Sequence, residues 1–212
     1  QVLPDYPATG KRTLQDNGAW LTTLKRDDVE LVRAGVERLE ADAVVDSEGR
    51  RHRADVLVWS TGFHYHQPLA PMRVVGRGGV DLHEHWGTRP RAHLGVTVPD
   101  FPNFFCLYGP GTNLASGGSI IFATECEVSY VMACLDALLA GGHRTMAPRR
   151  EVYDDYYERS QAEMRSMVWA SPHIEHNYYA NADGEVHGLN PWRLVDYWAW
   201  TRSVDLAEHD LT

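Results

Sequence analysis

Apolar positions along this chain follow two different periods. From Gly35 to Gly62, "GVERLEADAVVDSEGRRHRADVLVWSTG" alternates around a turn at Ser47-Glu48-Gly49-Arg50, which predicts a small β-meander. Its last segment, Val56 to Trp59, is apolar throughout, as expected of a strand covered on both faces in a parallel sheet. Asp27 to Val32 predicts a further short strand. Phe104 to Tyr108 predicts a buried one, broken by Gly109-Pro110-Gly111. After a polar loop the period changes. Ile121, Val128, Val131, Met132, Leu135, Leu138 and Leu139 keep a 3.6-residue spacing, which predicts a helix stopped by Gly141-Gly142. A second helix is expected over Arg150 to Trp169, and a short aromatic one near the end. Residues 1–20 are turn-rich, with Pro4, Pro7 and Gly10. Residues 64–103, full of Gly, Pro, His and Trp, read as loops and short strands.

Composition narrows the function classes. The chain has 212 residues, 43% hydrophobic and 23% charged, which suits one large soluble domain or two small ones. A formal net charge of -9 gives neither a nucleic-acid groove nor an anionic membrane surface any electrostatic support. No apolar run approaches the roughly 20 residues of a membrane-spanning helix. The three cysteines, Cys106, Cys126 and Cys134, form no CxxC pair and read as reduced thiols of a cytoplasmic protein. Beginning at Gln1 without methionine, the chain is expected to be a piece of a longer protein.

Four groups of residues could carry chemistry. Ser60-Thr61-Gly62 ends the apolar strand in small residues, which admit a flat ligand or a second backbone, or simply turn the chain. Tyr108-Gly109-Pro110-Gly111-Thr112-Asn113 joins a predicted strand to a predicted helix. Free N–H groups at that helix start would suit an anionic or carbonyl-rich ligand. The loop has neither GxGxxG nor GxxxxGK[ST] spacing, so it is not a diphosphate cradle. Lys11-Arg12 could hold a phosphate or a developing oxyanion, or be a solvated surface pair. His64, His66, His83, His85, His173 and His176 have metal-like spacings, but no carboxylate or cysteine completes a ligand set. "GGSII" around Ser119 lacks the GxSxG elbow of a hydrolase. Trp192, Trp198 and Trp200 read as packing rather than a ligand cage.

In this order, the pieces resemble the C-terminal part of flavin-dependent Baeyer–Villiger monooxygenases of the hydroxyacetophenone monooxygenase type. The resemblance is carried by "YPATGKRTLQDNGAWLTTLKRDDVELV", the strand running into "STGF", "FPNFFCLYGPGTN" and "VWASPHIEHNYYANADGEV", and it covers nearly the whole chain. It implies an α/β fold made of two partial dinucleotide-binding domains. Residues 1–65 would be the last strands of an NADPH domain, and residues 66–212 the C-terminal half of an FAD domain with a helical tail.

The resemblance also implies roles. Thr61, Gly62 and Phe63 would lie against the cofactor at the domain junction, with Ser60 standing where alanine is usual. Gly109, Pro110, Gly111, Thr112 and Asn113, with Ser119 and Ile120, would lie at the isoalloxazine ring of FAD. Lys11 would contact the 2′-phosphate of NADPH. Arg12 would be the catalytic cation that stabilises the flavin peroxide and positions the nicotinamide. The reaction implied is insertion of one atom of O2 into a ketone, giving an ester or lactone. Both GxGxxG fingerprints, the motif FxGxxxHxxxW and the acidic partner of the arginine are absent. These 212 residues alone are therefore expected to bind FAD and NADPH weakly or not at all, to lack turnover and to leave apolar faces open to self-association. The missing N-terminal portion would be the main partner, beside the ketone. Two other readings stay open: a flavin enzyme oxygenating nitrogen or sulfur, and a non-catalytic interaction module derived from one.

Overall fold

A computed structural model describes residues 3–115 and 117–212. Gln1 and Val2, in the turn-rich opening, and Ser116, in the polar loop before the long helix, lie outside them. The chain divides into two compact units, residues 12–63 and residues 1–11 with 64–212.

In the smaller unit, a short helix α1 (Ala19–Thr23) precedes the meander that alternation predicts. Strands β1 (Val36–Leu39), β2 (Ala43–Asp46) and β3 (Arg51–Arg53) pair antiparallel in that order. Val45 faces Arg38 across one ladder and Arg51 across the other, and a bulge interrupts β1 between Val36 and Arg38. The β2–β3 turn is closed by one side chain. Asp46 accepts the backbone N–H groups of Glu48 at 3.0 Å and Arg50 at 2.9 Å, while Gly49 takes φ 83°. His52 Nε2 lies 2.7 Å from the same carboxylate, and this contact leads the causes that hold the Asp46 pKa below its usual value.

Two predicted strands do not form here. Asp27–Val32 is an irregular segment, turned by Val29 N–H bonding to Arg26 O. Val56–Trp59 has the composition of a central strand, yet no described strand pairs with it. Val56 and Val58 are 78% and 81% exposed. Apolar composition reports the need for cover; a strand requires neighbours to bond.

The larger unit is helical at its core. Helix α2 (Leu82–Trp86) lies in the stretch expected to hold only loops and short strands. Its start is capped by Asp81, whose carboxylate accepts from His83 N–H, and Gly87 ends it. After β4 (Asn113–Leu114) comes α3 (Ile120–Gly141), with Ser119 as N-cap and Gly142 in the left-handed region at its end. Then follow β5 (Met146–Pro148), α4 (Arg150–Met164), β6 (Leu189–Asn190), α5 (Leu194–Thr201) and β7 (His209–Leu211). β4 pairs parallel with β6, and β5 antiparallel with β7.

Helix α4 is shorter than periodicity predicts, because its ladder tightens after Met164. Ser166 and Met167 bond back three residues, to Glu163 and Met164, and the helix closes. Phe104–Tyr108 is not a strand either. Cys106 N–H bonds to Val96 O at 2.8 Å and Tyr108 N–H to a side chain on α3, so its donors serve a loop and a helix instead of a ladder.

The long helix is present but turns the other way. Its buried residues are Ala123, Cys126, Glu127, Tyr130, Cys134 and Leu138. Of the residues whose spacing announced it, Ile121, Val128, Met132, Leu135 and Leu139 are exposed, Leu139 by 82%. The inner face packs with Leu94, Val96, Met146, Tyr156 and Tyr197 into one core cluster. Two further clusters surround Trp86 with Phe101, and Trp169 with Tyr179. Trp192 packs inward, its indole N–H reaching Tyr156 Oη at 3.2 Å; Trp198 and Trp200 stay about two-fifths exposed, at 41% and 38%.

Candidate functional site around the Gly109–Asn113 loop

Residues 108–112 form a loop that meets α3 at Glu127. Tyr108 has φ 53°, a left-handed conformation costly for a non-glycine residue, and Gly111 has φ 84°. Thr112 is wholly buried and closes the turn, donating from its hydroxyl to Gly109 O at 2.8 Å.

The two glycines have different reasons to be glycine. A side chain on Gly109 would run into the carbonyl oxygen of Gly95 and the Cys106 side chain. Gly109 therefore lets two stretches of backbone touch. A side chain on Gly111 would meet no atom within 4 Å, so that side of the loop is open. Helix α3 begins nine residues after Gly111, and its first N–H groups have no carbonyl one turn earlier to bond. Ser119 Oγ takes the Phe122 N–H at 3.3 Å.

Beneath the loop lies Glu127, fully buried. Its Oε2 accepts the Tyr108 N–H at 2.6 Å, and burial raises its pKa. Beside the loop is a cavity of about 60 Å³ walled by Tyr65, Tyr108, Pro110, Asn113 and His187, among others. Behind it His66 Nδ1 and His187 Nε2 are 2.8 Å apart. Burial lowers the pKa of His187 to about 4, so that ring is neutral.

The remaining predicted residues divide between the units. Lys11 belongs to the larger one and is exposed, its Nζ 4.9 Å from the centre of the Tyr6 ring. Arg12, Ser60, Thr61, Gly62 and Phe63 belong to the smaller one and are exposed; Gly62 has φ 90°. Among the described residues, no group of three or more His, Cys, Asp and Glu could hold a metal ion. No described helix is long and apolar enough to cross a membrane. The three cysteines are free and buried, with thiol pKa values raised by burial.

No protein-family model matches the chain. It is 34% identical over 210 residues to an uncharacterised monooxygenase, y4iD, of Sinorhizobium fredii, covering 99% of this chain and 31% of that protein. A Baeyer–Villiger monooxygenase of Pseudomonas aeruginosa is 30% identical over 218 residues, covering 100% of this chain and 40% of that protein. The fold agrees with a solved structure of oxidized steroid monooxygenase bound to NADP, with a TM-score of 0.82 and 25% identity over 98% of this chain and 40% of that one.

The chain is a relative of the flavin-dependent Baeyer–Villiger monooxygenases. It spans about a third to two-fifths of the length of the curated relatives it matches, 31% and 40% for the two above. Its mixed α/β architecture is accordingly that of a partial flavin monooxygenase fold.

Glu127, Gly95, Tyr65 and His187 were not singled out by sequence reasoning for this Baeyer–Villiger relative. Glu127 sits between apolar helix residues and could have been flagged as a carboxyl on a buried face. The other three approach the loop only through tertiary folding, and no local pattern marks them.

Proposed function

We propose that this chain is the flavin-facing part of an FAD- and NADPH-dependent monooxygenase that inserts one oxygen atom of O2 into a ketone to give an ester or lactone. In this reading it works as a portion of a longer protein. The supporting observation is an alignment along the entire chain with a Baeyer–Villiger monooxygenase, together with an open-sided glycine loop running into the start of a long helix. When bound, FAD reduced by NADPH supplies the oxygen-transfer chemistry.

The residues present fit such a ring. Gly111 leaves the outer side of the loop clear, and the first N–H groups of α3, at Ile120 and Ile121, suit electron-rich carbonyls. Gly109 to Asn113, Ser119 and Ile120 would hold the isoalloxazine, with Thr61, Gly62 and Phe63 lining the cofactor at the end of the NADPH domain. Lys11 would hold the 2′-phosphate of NADPH. Arg12, a permanent cation, would stabilise negative charge as it develops on oxygen and orient the nicotinamide. The surrounding protein must keep that site dry, because water diverts oxygen chemistry towards hydrogen peroxide.

The test is an assay of the full-length protein with NADPH, O2 and parallel panels of ketones, amines and sulfides. Ester or lactone formation coupled to NADPH oxidation is the expected result. Oxygenation of amines or sulfides alone would overturn the ketone reading, and absence of bound flavin would overturn the enzyme reading. The 212-residue chain alone is expected to purify colourless; a yellow, NADPH-oxidising sample would overturn its dependence on the rest of the protein.

A further inference from the structure

A carboxyl group buried at 0% exposure needs hydrogen-bond donors or a cation if it is ionised. Glu127 has neither in sufficient number. Among the described residues no arginine, lysine or histidine forms an ion pair with it. The groups that face it are Cys106 from the segment before the loop, Tyr156 from α4, Tyr197 from α5 and Cys126 on its own helix, all uncharged at neutral pH. Among the described residues one N–H reaches it, that of Tyr108 on Oε2 at 2.6 Å, and Oε1 has no hydrogen-bond partner.

The hydroxyls of Thr112 and Tyr197 donate elsewhere in the structure, to Gly109 O at 2.8 Å and Leu94 O at 2.7 Å. They pull the carboxyl's pKa down, against the larger upward effect of burial. An ionised carboxylate would leave Oε1 buried with no donor, whereas a neutral acid carries a proton there.

We propose that Glu127 is a positioning residue for the Gly109–Asn113 loop and holds it as the neutral acid, with Oε2 accepting from Tyr108 N–H and the proton on Oε1. The contact to Tyr108 fixes the residue that takes φ 53° at the loop's entry. Burial raises the carboxyl's pKa, which agrees with this arrangement. The consequence for cofactor binding rests on the proposed function; the protonation itself does not.

The experiment compares wild type, Glu127→Gln and Glu127→Ala in the full-length protein. Glutamine keeps an acceptor for Tyr108 and puts N–H groups where the acid would carry its proton, without charge. FAD affinity, titrated by flavin fluorescence, is expected within about threefold of wild type for the glutamine variant and at least tenfold weaker for alanine. An acid with its folded pKa above the unfolded value of 4.5 loses its contribution as pH rises through that window. Melting of Glu127→Gln should therefore match wild type near pH 4.5 and exceed it increasingly towards neutral pH. A protonated-carboxyl band in the infrared difference spectrum of wild type against Glu127→Gln should persist at pH 7. A glutamine variant as damaged as alanine, a melting gap that does not vary with pH, or no such band would each overturn the proposal. If the protein binds no FAD at all, the proposed function fails, while the melting and infrared arms still decide the state of Glu127.

Discussion

The carbonyl oxygen of Gly95 occupies the space in which a side chain on Gly109 would begin, and the Thr112 methyl occupies the corresponding space at Gly95. Gly95 therefore interlocks through missing atoms with Gly109 and Thr112 of the loop. The loop proposed to face the flavin is set by this contact from behind.

The contact separates two otherwise similar substitutions. Gly109→Ala forces backbone apart and is expected to destabilise by about 1–3 kcal/mol or more. Gly111→Ala meets no neighbour and carries only the strain of a left-handed alanine, about 1–2 kcal/mol. Denaturant melts of the two variants should rank them in that order, and the reverse order would contradict the interlock.

Helix α3 allows a sharper comparison between adjacent leucines. Leu138 is 6% exposed and packs in the main core, whereas Leu139 is 82% exposed. In this chain, Leu138→Ala should cost about 2–5 kcal/mol. Leu139→Ala should stay within about 0.5 kcal/mol. Comparable losses at the two positions would mean that the helix is rotated from the orientation described.

Acid should weaken the fold through its buried imidazoles. Burial holds His93 neutral with its pKa lowered to about 3, and His187 with its pKa lowered to about 4. Depressed folded values mean stability that is complete above the unfolded pKa of 6.5 and lost as pH falls below it, because the unfolded chain gains the protons. For His187 the loss between pH 6.5 and 4 is on the order of 2–3 kcal/mol. Melting of His187→Phe and His93→Phe should depend less on pH than wild type over this range. Unchanged slopes would remove the imidazoles from the account.

Arg12 carries the chemical part of the proposal. In the full-length protein, Arg12→Ala is expected to lower oxygenation by about 10²–10³-fold, the usual effect of removing one group that stabilises developing negative charge. NADPH consumption should continue and end in hydrogen peroxide. A variant that still forms ester at the normal rate would remove Arg12 from the chemistry.

What could be read from sequence was local. The meander at 35–53 was legible because alternation and the Ser47–Arg50 turn specify it within neighbouring residues, and Asp46 confirms the turn chemistry. The existence of α3 was legible from its period and its glycine stop. Its buried face was not, because two apolar stripes compete on that helix and the winner contains small or polar residues, Ala123, Cys126 and Glu127. Val56–Trp59 shows the same limit from the other side: an apolar run announces cover without saying whether the cover is present. The glycine loop was visible as a motif, whereas its supports, Gly95 and Glu127, are chosen by folding.

Tyr197 gives the tail of the chain a meaning beyond packing. Its hydroxyl donates to Leu94 O at 2.7 Å, 103 positions upstream and one residue before Gly95, so α5 braces the backbone against which the glycine loop packs. A nonsense codon after Trp192 would spare every motif in the chain, yet it would unseat the shelf on which one of them rests.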